Sequence, residues 1–481
     1  MKEPLKILLV ASEVTPYAKS GGLGDVAGSL PQALKSLGAD VRVVFPKYKT
    51  ADESSMKNLR YVDSFTVNLS WRRQSASIFQ FDGDGDVPMY TIQNDYYFNR
   101  DGFYGYGDDF ERFAFFSKAA VEFLAKVDFK PDVLHFNDWQ TGLGCVYLSE
   151  IYKGFLFFEN MKSLFTIHNL QYQGVFGRDA LWAAGLDDTY FTNGALEFYS
   201  NVSFMKAGLV FSDAVSTVSE TYAKEIQTSQ YGYGMDGLLR SRSDKLFGIV
   251  NGVDAKVTTE NNTHLYKNYS IDDLDSKKYN KRKLQEHLGL PVTDAPMIAI
   301  ISRLVDQKGL DLVAVAIDDL MSRDLQLVVL GTGDGRYEHL FKDWAARHPQ
   351  KLSANILFDN DLAQKIYAGA DMFLMPSLFE PCGLGQIFAM KCGTAPIVRK
   401  TGGLADTVTH YNESTGLGTG FIFDDYVASG MMWAVKEAIK IYNKPKAWKK
   451  LVHNAMTEDF SWGKSAEKYI ELYESLRDET V

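Results

Sequence analysis

One seven-residue pattern occurs twice in this chain and limits its fold more than any other feature. Lys19-Ser20-Gly21-Gly22-Leu23-Gly24-Asp25 returns as Lys400-Thr401-Gly402-Gly403-Leu404-Ala405-Asp406. Each copy follows a short apolar run and precedes a stretch of helical spacing, so each reads as the turn of a strand–loop–helix unit. Glycines there let a ligand approach the backbone, and the helix start beyond offers free N–H groups and partial positive charge to a phosphate. The flanking sequences do not match, which argues for two similar loops on two similar sheets and against a repeat array. The expected fold class is therefore α/β: two Rossmann-like parallel-sheet lobes facing across a cleft, clamping a phosphorylated ligand between their glycine loops.

The surroundings of the second copy carry the chemistry. Met372–Met375 is an apolar run closed by Pro376 and reads as a buried parallel strand. A turn then sets Glu380 and Cys382 just before Gly383, and Leu384, Ile387, Phe388 and Lys391 fall on one helical face. Thr394–Val398 reads as the next strand. A carboxylate and two glycine turns thus stand at strand carboxyl ends, where open α/β sheets bind ligands. Taken alone, the same stretch also fits ordinary strand–helix turns.

At 481 residues, 46% of them apolar, the chain suffices for two large domains, each with a core. A net charge of −10 argues against nucleic acid or an anionic membrane as the main partner. No apolar run approaches the roughly 18 residues of a membrane span. The start, MKEPLKILLVASEV, suits a first strand better than a signal peptide. Three scattered cysteines, Cys145, Cys382 and Cys392, form neither a metal-ligand nor a disulfide pattern, which fits a reduced, cytoplasmic setting.

In chain order, Ile7–Ala11 and Val41–Phe45 read as strands around a helix that ends near Leu37, with Asp25 placed to cap it. Alternation between Tyr61 and Gln93 predicts a small hairpin insertion. Asp82–Asp86 resembles a calcium loop but lacks the glycine at the sixth position and has Gln93 where glutamate belongs, so it reads as a solvated turn. Phe98–Asp109 reads as a mobile aromatic loop. Val133–Phe136 is a strand that delivers His135, Asn137, Asp138 and Trp139, and Leu164–Ile167 delivers His168 and Asn169. Either histidine alone fits a structural imidazole or a functional one; two clusters on one sheet favour function for His168 and Asp138. Val215–Val218 follows as a strand, and Gly232–Gly237 as a flexible turn. After Phe247–Val250 come Asn251-Gly252-Val253-Asp254, and the polar segment Thr258–Asp275 reads as a linker. Met297–Ile301 opens the second lobe. Arg303 and Lys308 follow as two cations fitted to a diphosphate, or as lone surface charges. Gly331–Gly335 makes only a weak dinucleotide fingerprint, and no Walker lysine motif is present. Tyr469, Leu472, Tyr473 and Leu476 share one face of a helix over Ser461–Asp478, which should dock.

Together these motifs resemble the bacterial glycogen synthase and plant starch synthase family. The carriers are KSGGLGDV, FNDWQT at Phe136–Thr141, FTIHNLQYQG at Phe165–Gly174, GIVNGVD at Gly248–Asp254, SRLVDQKGLD at Ser302–Asp311, FEPCGL at Phe379–Leu384, and KTGGLADTV. The resemblance runs nearly end to end. It implies the two-lobe GT-B fold, with a first lobe over 1–245 on the acceptor side, a nucleotide-sugar lobe over 246–460, and a helix over 461–481 returning to the first lobe. The implied reaction moves glucose from ADP-glucose to the non-reducing 4-hydroxyl of an α-1,4-glucan, with retention and without metal or other cofactor. The implied setting is cytoplasmic, or the plastid stroma after removal of a transit peptide.

Carried over by motif, the catalytic set is Glu380, His168, Asp138, Arg303 and Lys308. The nucleotide-sugar set is Lys19, Gly21, Gly22, Asn251, Phe358, Cys382, Gly383, Leu384, Thr401 and Gly402, and Glu13, Tyr97 and Trp139 look like acceptor-side residues. No aspartate pair or histidine cluster has metal-ligand spacing, so the cations are expected to neutralise the diphosphate. Lys19 and the second-lobe residues lie on different sheets, so the lobes are expected to close on nucleotide. The chain departs from the family pattern at Ser20, Leu378, Gly385, Leu357-Phe358 and Val257-Thr258-Thr259, which leaves ADP-glucose or UDP-glucose open as donor. Rival readings are a retaining two-lobe transferase with another acceptor, which usually carries a different glycine loop, and a glucan-binding protein with a decayed site, against which stands retention of the catalytic set. A dinucleotide oxidoreductase lacks its fingerprint.

Overall fold

The computed structural model describes residues 3–254 and 259–478. They form two compact units, Met1–Gly252 with Ser461–Val481, and Val253–Phe460. The boundary falls at Gly252, seven residues beyond the expected 245.

The second unit is built on a six-stranded parallel sheet in the order Leu352–Asn355, Gln326–Leu330, Met297–Ile301, Met372–Met375, Ala395–Arg399, Phe421–Phe423. Alternation along one strand explains both layers. Ile298 and Ile300 enter a cluster with Leu310, Val313, Ile317 and Val435, whereas Met297 and Ala299 enter another with Leu284, Ile366 and Phe373. A strand covered on both faces has no polar side, so it reads as a continuous apolar run. In chain order the strands run 3-2-1-4-5-6, and the direction reverses beside Met297–Ile301. The expected linker belongs to this unit: Thr259 donates to Tyr269 O (2.7 Å), and the Tyr269 hydroxyl donates to Cys392 O (2.8 Å). Val257 and Thr258 lie outside the described residues.

The main sheet of the first unit has nine strands among the described residues, ordered Leu246–Gly248, Ala214–Thr217, Lys162–Ile167, Val133–Asn137, Lys6–Val10, Asp40–Pro46, Pro88–Gln93, Arg72–Asp82, Lys57–Leu69. The first seven are parallel, and the last two pair antiparallel. The expected insertion thus extends the main sheet, and the sheet is mixed. Alternation showed the strands, but nothing local told which edge they would join. Here too the order reverses, beside Lys6–Val10.

Phe98–Asp109 is pinned, contrary to the reading of a mobile loop. Fully buried Arg112 donates to Tyr97 O (2.8 Å) and Phe103 O (3.2 Å), and Arg100 pairs with Asp108 (2.6 Å). The Gly232–Gly237 turn is likewise tied, Gly232 N donating to Thr228 O (2.8 Å), and runs into the helix Asp236–Ser241. The terminal helix Trp462–Asp478 completes this unit. It buries Tyr469, Leu472, Tyr473 and Leu476, and Tyr473 bonds His135 Nδ1 at 2.8 Å.

Candidate functional site

Each unit carries candidate site residues at the carboxyl ends of its parallel strands, among them the strands where the order reverses. In the second unit a cavity of about 250 Å³ opens at the carboxyl ends of Met297–Ile301 and Met372–Met375. Such a reversal leaves a crevice because the connections on its two sides run to opposite faces of the sheet. Arg303, Lys308, Glu380, Gly383 and Leu384, all expected site residues, line this cavity.

Close backbone packing sets their positions. Gly309 has φ +70°, and a Cβ there would stand 1.9 Å from Pro376 O, so the turn bearing Lys308 lies directly on the turn that follows Met375. Lys308 Nζ then reaches Glu380 Oε2 at 2.6 Å, and Ser377 Oγ donates to the same oxygen at 3.1 Å. Both partners of the ion pair are largely buried, which fixes the carboxylate in one place. Arg303 is exposed on the cavity wall.

Thr401 and Gly402 have another placement than expected. Both are buried, and a Cβ on Gly402 would come within 2.0 Å of Glu380 O. Gly403 repeats this against Cys382 O, and its N–H donates to Glu380 O at 3.0 Å. Here the glycines admit the chain's own backbone and hold the Glu380–Cys382 turn. Phe358 is 92% exposed and does not line the cavity.

In the first unit the glycine loop starts the helix Gly22–Ser36, whose N-cap is Gly21. Asp25 is not the cap; it sits in the first turn, pairs with Lys19 at 2.6 Å and accepts from Thr15 at 3.4 Å. Gly21 and Gly22 have open space around them. The Glu13 carboxylate fills the mouth of the loop, accepting from Gly21 N (3.0 Å), Ser20 Oγ (2.7 Å) and Tyr104 Oη (2.6 Å). Glu13 therefore positions the loop. Tyr97, expected on the acceptor side, is 0% exposed and bonds Glu111; its neighbour Tyr96 faces solvent. Trp139 is buried against Phe113 and Phe176.

Asp138 has φ +55° at the end of Val133–Asn137, and its carboxylate accepts the His168 amide at 2.8 Å. Asn137 Nδ2 donates to Val10 O and His135 O, which turns Oδ1 toward His168 Nε2 at 2.9 Å. An amide oxygen only accepts, so His168 carries its proton on Nε2 and offers Nδ1 as an acceptor. Burial drives the His168 pKa down to about 3, keeping the ring neutral, and drives Asp138 up to about 7 against two backbone hydrogen bonds. Asn251 is buried, and its Oδ1 has no hydrogen-bond partner among the described residues, leaving an acceptor for a ligand hydroxyl. His135 is structural, held between Thr166 and Tyr473. Among the described residues no group of three or more His, Cys, Asp or Glu side chains is placed to hold a metal ion.

Sequence reasoning missed Ser377, Tyr104 and the orienting role of Asn137. Asn137 stood in a quoted motif and was a findable signal; Ser377 and Tyr104 gain significance only from the carboxylates they touch.

Two reversal-point sites on two Rossmann-like units define a glycosyltransferase of the two-lobe GT-B class. Residues 6–241 match the starch synthase catalytic domain, and 281–454 match glycosyl transferases group 1. The chain is 49% identical to the glycogen synthase of Clostridium novyi, covering 98% of this chain and 99% of that one. It is 50% identical to that of Clostridium acetobutylicum, covering 98% and 100%. The solved catalytic domain of starch synthase IV from Arabidopsis thaliana, bound to ADP and acarbose, superposes with a TM-score of 0.91 at 33% identity, over 99% of this chain and 100% of that one. Sucrose-phosphate synthase from Thermosynechococcus elongatus, at 19% identity and a TM-score of 0.61, shares the fold. The chain belongs to the glycogen and starch synthase family.

Proposed function

We propose that this chain transfers glucose from ADP-glucose to the 4-hydroxyl at the non-reducing end of an α-1,4-glucan, with retention of configuration. The observation that carries the reading is the reversal-point cavity with Arg303 and the Lys308–Glu380 pair on its wall. As the bond from C1 to the phosphate oxygen breaks and C1 joins the acceptor oxygen, charge grows on the departing diphosphate. Fixed cations stabilise that charge more than they stabilise bound donor. The acceptor's proton leaves with the diphosphate. Neutral His168, with Nδ1 free to accept, and Asn251 Oδ1 suit sugar hydroxyls. ADP and acarbose in the Arabidopsis relative support a nucleotide-sugar donor and a glucan acceptor. Three buried cysteine thiols suit a cytoplasmic setting.

Initial rates on glycogen with ADP-glucose and UDP-glucose side by side, with the anomeric form of the new linkage read by NMR, test the proposal. Faster transfer from ADP-glucose into α-1,4 linkages is expected. Preference for UDP-glucose would overturn the donor assignment, and β-linkages would overturn retention. We also propose that no metal takes part, because cationic side chains stand at the cavity. Exhaustive chelation should leave the rate unchanged; loss that added magnesium or manganese restores would overturn this.

A further inference from the structure

Within the second unit, the cavity wall carries less positive charge than its proposed ligand carries negative. Arg303 and Lys308 stand on that wall, but Glu380 Oε2 lies 2.6 Å from Lys308 Nζ, so two cations against one carboxylate leave one positive charge. A diphosphate joined to a sugar carries more than one negative charge and gains another as it departs. Neutral donors must meet the remainder, because anionic oxygens taken out of water without hydrogen bonds are costly. Ligand pockets commonly supply such donors as a few fixed polar groups on an otherwise apolar lining.

Two hydroxyl groups at this cavity hold no part of the chain together. Ser302 Oγ, just beyond Met297–Ile301, is buried with no hydrogen-bond partner among the described residues. Tyr367, on the helix Asn360–Gly369, also lines the cavity, and its hydroxyl bonds no other described residue. Its ring is buried and held between two others, with centroids 5.2 Å from Phe373 and 6.0 Å from Phe388. Packing therefore aims the hydroxyl before any ligand arrives, and little freedom remains to be lost on binding. Burial raises its pKa above the ordinary phenol range, so it keeps its proton and donates.

A glycine keeps the space in front of that hydroxyl clear. Gly385 opens the helix Gly385–Lys391 and lines the same cavity. A Cβ there would stand 3.3 Å from Tyr367 Oη and 3.0 Å from the Phe373 ring, tighter than side chains usually pack. Gly385 is not among the positive-φ glycines, so backbone geometry does not ask for glycine here, and glycine in a helix costs stability relative to alanine. What it gives is room. A protonated hydroxyl, fixed by two rings, unused by the fold and standing on one cavity wall with two cations, is arranged for an anionic acceptor.

Resting on the nucleotide-sugar reading above, we propose that Tyr367 is a further nucleotide-sugar-binding residue, whose hydroxyl donates to a phosphate oxygen of the diphosphate in the space beside Gly385. Charge on that group grows as the bond from C1 breaks, so the hydrogen bond strengthens toward the transition state. Ser302 Oγ offers a second hydroxyl to the same group.

The test uses the full chain and the variants Y367F, G385A and Y367F/G385A. Phenylalanine keeps the packed ring and removes only the oxygen, so Y367F should melt at the wild-type temperature. Its Kd for ADP, by calorimetry, should rise about tenfold, the loss of one hydrogen bond to a charged group. Inorganic pyrophosphate, read as an inhibitor of transfer, should weaken by the same factor. The kcat/KM for ADP-glucose should fall at least as far, whereas the KM for maltotetraose should stay at the wild-type value. G385A crowds the hydroxyl and should weaken ADP in the wild-type background, but much less in Y367F. Wild-type affinity for ADP in Y367F would overturn the assignment while leaving the transferase reading intact. So would a loss of ADP affinity that pyrophosphate does not share, because the hydroxyl would then meet the nucleoside. A lowered Tm in Y367F, with parallel losses on ADP-glucose and maltotetraose, would make Tyr367 part of the fold and overturn it too. An equal effect of G385A in both backgrounds would break the link between the glycine and the hydroxyl. A wild type that neither binds ADP nor extends maltotetraose would bring down the functional reading itself.

Discussion

At the scale of single residues, the site depends on charges that are buried and matched. Glu380 shares a proton-donating neighbour, Ser377, and an ion pair with Lys308. Replacing it with glutamine keeps its size but frees Lys308 to follow the diphosphate alone. E380Q should fold, bind ADP and lose kcat by at least about 100-fold; near wild-type turnover would remove Glu380 from the mechanism. Asp138 and His168 make the pH dependence specific. Asp138 is held at about 7 against an ordinary 3.8, so its contribution to stability is complete below that ordinary value and is lost as pH rises through 7. His168 and His135 are held near 3 against 6.5, so their contribution is present above 6.5 and is lost as pH falls toward 3. D138N should therefore gain stability relative to wild type as pH rises from 5 to 8 (denaturant midpoints would report it), and should lose any inflection near pH 7 in kcat/KM. An inflection that persists in D138N belongs to another group.

At the scale of elements, glycine and tyrosine positions do work that local sequence does not announce. Gly309 carries both a left-handed φ and contact with Pro376 O, so no side chain fits without moving the Lys308 turn. G309A should raise the Kd for ADP and lower Tm, since strain and clash act together. Calorimetry and thermal unfolding would read both, and unchanged binding would show that the turn can shift without consequence. Tyr473 offers a milder case. Y473F leaves His135 Nδ1 without its partner in a buried environment, at a cost of about 1–3 kcal/mol, with a matching fall in denaturant midpoint and no direct effect on KM.

At the scale of the whole molecule, the two units differ in how the chain completes them. Val253–Phe460 is one continuous stretch with cores on both faces of its sheet and the whole lining of its cavity. Expressed alone, residues 253–460 should fold cooperatively and bind ADP, while transferring no glucose. The other unit closes only when Trp462–Asp478 arrives to cover its part of the core. Residues 1–252 alone should bind a hydrophobic dye and unfold broadly. A sharp transition in that fragment would mean that the terminal helix is dispensable to its core.

Much of this was legible in the sequence because it depends on neighbours along the chain. Met297–Ile301 and Met372–Met375 were read to the residue, since strands covered on both faces are unbroken apolar runs. The paired glycine loops, the cations after Met297–Ile301 and the carboxylate at Glu380 followed from turns at strand ends, and the terminal helix followed from its one aromatic face. What remained hidden depends on partners distant in sequence. Tyr96 and Tyr97 are adjacent on one short helix, and only the core beneath them decides that Tyr97 is buried and Tyr96 exposed. Gly402 could have served a ligand or the chain; Glu380 O, 22 positions away, decides for the chain. Local pattern determines which residues form strands, turns and helices, because backbone sterics and side-chain spacing act over a few residues. Which of them meet is decided by the packed tertiary structure, where close contact and loss of water make each side chain's neighbours its chemistry.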